Sequence, residues 1–179
     1  MLSMTQMKFH PRFADAFRSG QKTTSLRKMD FCCFPSRTGE DKFFHTDILT
    51  RDVTLHDYSS NSDIIFDAGT PYTRVSNLEC LLKRQSHKPG ELIALVVERD
   101  DDTPRAFAVA IIESISIIRG SQITDEIAVN DGFNPENNPR NELFAFLKDV
   151  YPQRDPLHEM YWLYTFTGVQ MLSVQDGDA

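Results

Sequence analysis

Residues 9–27 read FHPRFADAFRSGQKTTSLR, and this stretch decides how the rest of the chain is expected to fold. Pro11 at a first-turn position, followed by apolar residues at helical spacing, predicts a short amphipathic helix that ends at Gly20. A strand rich in threonine is predicted to follow at once. The tight junction between them brings Lys22, three hydroxyl residues and Arg27 to a point where they can line a pocket.

Downstream of residue 87 the chain alternates between strand and helix patterns. Strands are predicted at residues 92–97, 106–118 and 158–166, and helices are predicted after a Thr124 cap and over residues 139–150. The long strand over 106–118 is mostly β-branched and exceeds an ordinary strand in length. A bulge or bend is therefore expected near Glu113.

Residues 28–87 lose this periodicity. Short apolar clusters predict brief strands, and the spacing over residues 75–84 predicts one amphipathic helix. Because this insertion begins directly after Arg27, it is interpreted as a lid or a flap that binds a protein partner, or equally as a decoration on the outside of the domain. At the other end of the chain, residues 168–179 are predicted to be a flexible tail.

The length of 179 residues favours a single domain, residues 1–179. A chain of this size buries about 70% of its unfolded surface around one core. No apolar run reaches the ~20 residues that cross a bilayer, and the first residues lack the pattern of a signal peptide. We therefore expect a cytoplasmic protein that does not bind membranes.

The cysteines, Cys32, Cys33 and Cys80, lack the number and spacing of a disulfide framework or a zinc site. No metal or other cofactor is predicted. The net charge of −7 is uneven, because residues 1–30 carry +4 and the remainder carries −11. Long nucleic-acid tracts need many phosphate contacts, so this distribution favours one small polar or anionic ligand at the basic corner.

The junction resembles the signature of the ASCH domain, a small member of the PUA-like β-barrel superfamily. That signature is a helix, Gly, any residue, Lys, Thr, then a hydroxyl residue and an Arg two positions after it. The central strands, helices and closing strand of the family resemble residues 88–97, 106–118, 123–133, 142–152 and 160–166. The resemblance implies an α+β fold: a PUA-like small mixed β-barrel flanked by helices, with a large insertion after the first helix–strand unit.

Family members similar to the bacterial N4-acetylcytidine amidohydrolase use a Lys, a Thr three residues later and a Glu in the first helix after the long strands. By position these fall on Lys22, Ser25 and Asp131. Each exchange keeps the functional group, although Asp is one methylene shorter than Glu. The resemblance implies a metal-independent amidohydrolase that removes an acyl group from the N4 amine of a modified cytidine or a related nucleoside or nucleotide.

One alternative for the hydroxyl stays open on the residues alone. On a regular strand, positions 22 and 25 point to opposite faces, whereas positions 22 and 24 share one. The triad therefore requires Lys22 to lie in the turn, before regular pairing starts. If the strand begins at residue 21, Thr24 is the hydroxyl beside the amine.

Substrate-binding candidates are Arg27, Thr24 and Tyr161. Arg27 can bind a substrate oxygen or pair with a carboxylate, for which Glu113 is the obvious partner. Tyr161 can stack on a base, although aromatic residues at strand spacing more often belong to a core.

The chemistry expected from this set begins at Lys22. A buried lysine has a lowered pKa, and its neutral amine can take a proton from a hydroxyl or a water. Backbone N–H groups of the turn at residues 20–23, or Arg27, would stabilise the oxyanion. Two other hypotheses are a PUA-like RNA- or nucleotide-binding module and a ribonuclease, each with single-stranded RNA as the partner.

Overall fold

The computed structural model describes residues 4–29, 33–35, 42–46, 73–83, 85–98, 103–153 and 155–173. In these ranges the strands are β1 (Gln6–Phe9), β2 (Thr24–Lys28), β3 (Cys33–Pro35), β4 (Lys42–Thr46), β5 (Thr73–Asn77), β6 (Leu92–Glu98), β7 (Pro104–Arg119) and β8 (Met160–Met171). The α-helices are α1 (Ala14–Arg18), α2 (Leu78–Leu82), α3 (Asp125–Asn130) and α4 (Pro139–Val150). Turns of 3₁₀ helix cover Pro11–Phe13 and Gly120–Gln122.

The larger sheet has five strands in the order β1-β6-β7-β8-β2. β1 pairs with β6 in parallel, and the other neighbours are antiparallel. The α+β class predicted from the sequence is therefore confirmed. A smaller sheet has the order β3-β4-β5.

The prediction of a closed barrel was wrong. In the described part of the chain, β1 and β2 form the two edges of the larger sheet and share no backbone ladder. A side chain bridges these edges instead, because the Arg27 guanidinium of β2 donates a hydrogen bond to the Lys8 carbonyl oxygen of β1 at 2.5 Å. The sheet stays open on the side where the predicted site residues lie.

The bend expected in the long strand is confirmed. The pairing of β7 with β8 shifts register between Ile112 and Ser114, and again between Val109 and Ile111. Bulges of this kind increase the local twist of a sheet. They let one strand of 16 residues pair with β6 near its start and with β8 along its length.

A cluster of phenylalanines holds α1 and α4 beside the open side of the sheet. The Phe9 and Phe17 rings meet edge to face at 5.0 Å, and Phe13 contacts Phe146 at 5.4 Å and Phe133 at 5.7 Å. Edge-to-face packing adds about 0.5–1.5 kcal/mol per pair to the burial of the rings. These contacts fix the position of the α1–β2 junction.

Several boundaries differ from the sequence predictions. Residues 75–77 belong to β5, which pairs with β4, so strand pairing overrides the helical spacing there and α2 begins only at Leu78. Residues 168–171 belong to β8 rather than to a tail, because β8 follows β7 as far as the Ala108–Met171 pair. The other strands predicted in the insertion lie largely outside the described residues.

The helices were predicted more accurately than the strands. α4 begins at Pro139 and ends at Val150, as predicted. The Thr124 hydroxyl caps α3 by accepting the backbone N–H of Ile127 at 3.3 Å. Among the described helices, none has the length and apolar character that a bilayer crossing requires.

Candidate functional site

The loop between α1 and β2 places Lys22 before the strand begins. α1 ends at Arg18, and Gly20 follows with φ of +77°, a left-handed conformation that glycine adopts readily. The backbone N–H of Lys22 donates to Ala16 O at 2.9 Å, and that of Thr23 donates to Asn130 O at 2.8 Å. The loop is thus held by hydrogen bonds on both sides, and Lys22 lies in the turn, as the predicted triad requires.

The Lys22 side chain is only 2% exposed. Its Nζ donates to the Asp131 carbonyl oxygen at 2.5 Å and to the Asp131 carboxylate. Nζ also lies 4.5 Å from the centre of the Phe13 ring and 5.7 Å from that of Phe17. Aromatic faces of this kind stabilise a cation that has lost water.

Asp131 reaches this amine because α3 ends beside it. Asp131 is the C-cap residue of α3, and the next residue, Gly132, has φ of +99°. A Cβ at Gly132 would lie 3.1 Å from Phe13 Cδ1 and 3.3 Å from Lys22 Cδ. Only glycine suits both the left-handed backbone and this close approach. The backbone N–H of Leu26 acts on the Asp131 carboxyl in the direction that lowers its pKa, against the larger effect of burial.

Burial dominates the titration of this pair. Loss of solvation lowers the pKa of the Lys22 amine, and the nearby Asp131 charge opposes this only in part. Loss of solvation likewise raises the pKa of the Asp131 carboxyl. Both shifts favour the neutral form of each group, so the one titratable proton of the pair can lie on either Lys22 or Asp131.

Arg27 lies next to the pair on β2. Its Nε donates to Ser25 Oγ at 3.1 Å, and a terminal nitrogen donates to the Lys8 carbonyl oxygen at 2.5 Å. The guanidinium carbon lies 4.6 Å from the centre of the Phe9 ring. Burial lowers the pKa of Arg27, while the Asp131 charge acts in the opposite direction. An arginine nevertheless stays protonated.

A cavity of about 320 Å³ opens between the two sheet edges. Its lining combines polar and apolar residues: Lys8, Phe9, His10, Pro11, Phe13, Lys22, Ser25, Leu26, Arg27, Asp131, Phe146, Leu147, Val150 and Tyr151. Three side chains of lysine or arginine and one aspartate carboxyl group therefore line the same space. Pockets with an apolar body and a few convergent polar groups are the usual form of small-molecule sites.

The structure brings together four of the six predicted site residues. Lys22, Ser25, Arg27 and Asp131 all line the cavity. In the described part of the chain, however, the hydrogen bonds of Lys22 Nζ go to Asp131, and Ser25 Oγ is bonded to Arg27 instead. Lys22 and Ser25 therefore line the same cavity without a hydrogen bond between them.

The other two predicted residues lie elsewhere. Thr24 is buried and is not part of the cavity wall, and its hydroxyl has no hydrogen-bond partner among the described residues. Tyr161 is also absent from that wall, and its hydroxyl donates to Pro156 O at 3.3 Å. Because β2 begins at Thr24, the condition for Thr24 as the active hydroxyl, a strand that begins at residue 21, is not met. Stacking by Tyr161 on a base would require another site.

The expected backbone oxyanion donors are already used. The N–H groups of Gly20, Lys22 and Thr23 donate to carbonyl oxygens at 2.8–3.1 Å, and that of Gln21 faces the Ser19 hydroxyl at 3.4 Å. Arg27 is the predicted donor that still faces the cavity. The suggested pairing of Arg27 with Glu113 is not formed, because Glu113 is exposed and lies away from the cavity.

The sequence did not predict a role for Gln21, because the ASCH-domain signature accepts any residue at this position. Its Nε2 donates to Val129 O at 3.1 Å and to Phe133 O at 2.8 Å. These bonds clamp the end of α3 onto the loop and thereby hold Asp131 against Lys22. The partners are backbone carbonyls more than a hundred residues away, so no local pattern could have indicated them.

Metal ligands do not cluster in the described ranges, where no group of three or more His, Cys, Asp or Glu side chains converges. No protein-family model matches the sequence, and a search of curated proteins finds no match. Among solved structures, the chain is similar to protein EF3133 from Enterococcus faecalis V583, described as DUF984, with 12% sequence identity and a TM-score of 0.49. The alignment covers 96% of this chain and 78% of that one. At this level of similarity, the function has to be inferred from the site itself.

Proposed function

We propose that the chain is an ASCH-domain protein of the PUA-like superfamily and that it acts as an amide hydrolase. Its substrate would be a cytidine or related nucleoside whose N4 amine carries an acyl group. The observation that carries the proposal is the buried Lys22 amine, which is hydrogen-bonded to Asp131 and lies on the wall of a cavity shared with Ser25.

The base in this proposal is the neutral amine of Lys22. An exposed lysine is almost fully protonated near neutral pH, and an ammonium cannot accept a proton. Burial lowers the pKa of Lys22, which raises the fraction of neutral amine. General-base catalysis by such a group contributes about 10²–10⁴-fold to a rate.

The nucleophile is a water molecule held by the Ser25 hydroxyl. The missing Lys22–Ser25 hydrogen bond favours this route over direct attack by Ser25. Lys22 takes a proton from the water while the oxygen attacks the acyl carbonyl carbon, and a tetrahedral oxyanion forms. The ammonium that is created on Lys22 then lies beside this negative charge and stabilises it.

The acid in this proposal is Asp131. When the shared proton resides on its carboxyl group, Asp131 can donate it to the leaving N4 nitrogen as the C–N bond breaks. The products are a free carboxylic acid and the unmodified amine, and the proton taken up by Lys22 restores the pair. The scheme is balanced with water as the only co-reactant and needs no metal.

A non-catalytic nucleotide-binding module is the second candidate. The Lys22–Asp131 contact favours this candidate, because the amine already has a carboxylate partner in the free protein. In that case the cavity would recognise a base without chemistry. A volume of about 320 Å³ is at the lower end of ligand pockets, which favours a single nucleoside-sized ligand over an RNA strand.

The test is incubation of the purified protein with N4-acetylcytidine and detection of cytidine and acetate. We expect hydrolysis by the wild type and by Lys83→Met, which removes an exposed lysine. We expect none by Lys22→Met. Binding of cytidine without hydrolysis by folded wild-type protein would favour the second candidate.

A further inference from the structure

The cavity contains more positive charge than its own carboxylate can neutralise. Lys22 and Asp131 share one proton, so the pair has a net charge of zero wherever that proton resides. Arg27 lines the same cavity and remains protonated. Arg27 therefore contributes one full positive charge that the Lys22–Asp131 pair does not neutralise.

The contacts of Arg27 do not compensate this charge. Its hydrogen bonds go to the Ser25 hydroxyl and the Lys8 carbonyl, which are neutral acceptors. None of the ion pairs among the described residues joins the Arg27 guanidinium to a carboxylate. A half-buried charge without an opposite partner costs free energy that an exposed arginine does not incur.

Further cations line the cavity or contact residues of its wall. Lys8 lines it directly. The Arg12 guanidinium lies 5.6 Å from the Phe146 ring centre, and Lys28 Nζ lies 5.5 Å from that of Tyr151. Phe146 and Tyr151 are both cavity residues. This cationic region occurs in a chain with a net charge of −7, and a cleft lined by one sign of charge concentrates ligands of the other sign.

We propose that the cavity binds a ligand through an oxyanion group, a phosphate or a carboxylate, that pairs with Arg27. The inference rests on the proposed function and narrows its substrate class. The substrate would carry its own negative charge, either as a 5′-phosphate on the ribose or as a carboxylate at the end of the acyl group. A guanidinium suits both groups, because its planar fork donates two parallel hydrogen bonds to one oxyanion.

Ser25 connects this charge recognition with the chemistry. In the free protein the Ser25 hydroxyl accepts a hydrogen bond from Arg27 Nε. An oxyanion that takes over this donor releases the hydroxyl for the water that Lys22 activates. Substrate charge would thus affect both binding and the arrangement of the nucleophile.

The experiment compares matched neutral and anionic ligands by calorimetry at low salt. The pairs are cytidine against cytidine 5′-monophosphate, and N4-acetylcytidine against N4-succinylcytidine. We expect at least one anionic member to bind more than 10-fold tighter than its neutral counterpart. A gain in affinity within the first pair identifies a phosphate as the bound group, and a gain within the second identifies an acyl carboxylate.

Variants assign the gain to Arg27. Arg27→Gln should abolish it, and Arg27→Lys, which keeps the charge without the fork, should retain a part. Arg18→Gln is the matched control, because Arg18 is exposed and paired with Asp15 outside the cavity. Circular dichroism establishes that each variant is folded. Equal affinities within both pairs, or a gain that persists in Arg27→Gln, would overturn the proposal.

A third measurement separates this proposal from the proposed function. The Nε–H resonance of Arg27 is followed by NMR while inorganic phosphate is added. A saturable shift in a protein that hydrolyses no acylated cytidine would leave the anion site standing and reject the hydrolase. Hydrolysis of neutral N4-acetylcytidine without any phosphate-dependent shift or anionic preference would do the reverse.

Discussion

Two ion pairs, Lys22–Asp131 and Arg18–Asp15, involve residues at or near the α1–β2 junction. Both join a basic side chain to an aspartate, but they differ in sequence separation and in burial. Lys22–Asp131 joins residues 109 positions apart and is nearly buried, with side-chain exposures of 2% and 7%. Arg18–Asp15 joins neighbours on α1 and is open to solvent, with exposures of 60% and 88%. The exposed pair forms between neighbours on one helix, whereas the buried pair forms only when distant parts of the chain pack together.

The difference shows why only one of these pairs is a candidate for catalysis. An exposed pair exchanges easily with water and contributes about 0–1 kcal/mol to stability. A buried pair has lost its hydration, so each charge depends on its partner, and burial favours the neutral form of both groups. Burial is the largest cause that lowers the pKa of Lys22, and the proposed role of its amine as a base depends on it.

The largest expected effect comes from removing the buried cation. Lys22→Met should eliminate amide hydrolysis and should destabilise the fold by about 3–5 kcal/mol, because it leaves an unpaired carboxyl group in the interior. Chemical denaturation measures the loss of stability. The double variant Lys22→Met/Asp131→Leu should regain most of it while remaining inactive, since it removes both charges. A double variant as unstable as the single one would argue against an electrostatic origin.

The next effect tests how the buried pair is positioned. Gly132→Ala forces a side chain onto a backbone with φ of +99° and into contact with Phe13 and Lys22. We expect a loss of about 1–3 kcal/mol in the free energy of unfolding. Gly90→Ala is the control, because Gly90 also has a positive φ, +83°, but no atom lies within 4 Å of the added Cβ. Equal losses would show that the close approach at Gly132 is unimportant.

The next largest effect is expected when the hydroxyls of Ser25 and Thr24 are removed separately. Ser25→Ala should reduce kcat by about 10²-fold if the hydroxyl holds the attacking water, a size within the range for removed catalytic groups. Thr24→Val should leave kcat unchanged, because Thr24 lies outside the cavity wall and has no hydrogen-bond partner in the described part of the chain. The opposite order would identify Thr24 as the active hydroxyl.

The pH dependence of activity tests the effect of burial that distinguishes Lys22–Asp131 from the exposed ion pair. Because burial lowers the pKa of Lys22, activity should rise with pH through a midpoint that lies below 10.5 and should fall again where the pair loses the proton that Asp131 donates. Asp131 opposes this shift, so Asp131→Asn should move the midpoint to still lower pH. NMR titration of the Lys22 side chain measures both midpoints without relying on activity. A midpoint that moves upward in Asp131→Asn would contradict the assignment.

The smallest effect is expected at the exposed pair. Arg18→Gln should change the free energy of unfolding by about 0.5 kcal/mol or less, because salt and water already screen the contact. Thermal denaturation at low and high salt measures it. A loss comparable to that of Lys22→Met would remove the distinction between the two pairs.

Local pattern was enough for the elements whose signals are local. α4 and the Thr124 cap of α3 agree with the sequence predictions, since helix periodicity and capping depend on residues within one turn. The bend in β7 was likewise readable from the length of its β-branched run. The pairing of β5 with β4 and the extension of β8 to Met171 could not be predicted in this way, because the bounds of a strand depend on a partner strand distant in sequence.

By itself, the sequence determined that a cation, hydroxyl groups and an arginine follow a short helix within a few residues, because those positions are neighbours along the chain. Only the tertiary structure decided which of them act together. The end of α3 had to meet the α1–β2 loop before Lys22 could lose its water and share a proton with Asp131. The open edge between β1 and β2 had to form before Arg27 and Ser25 could face a cavity. Burial is a property of the whole packing, and no short stretch of residues specifies it.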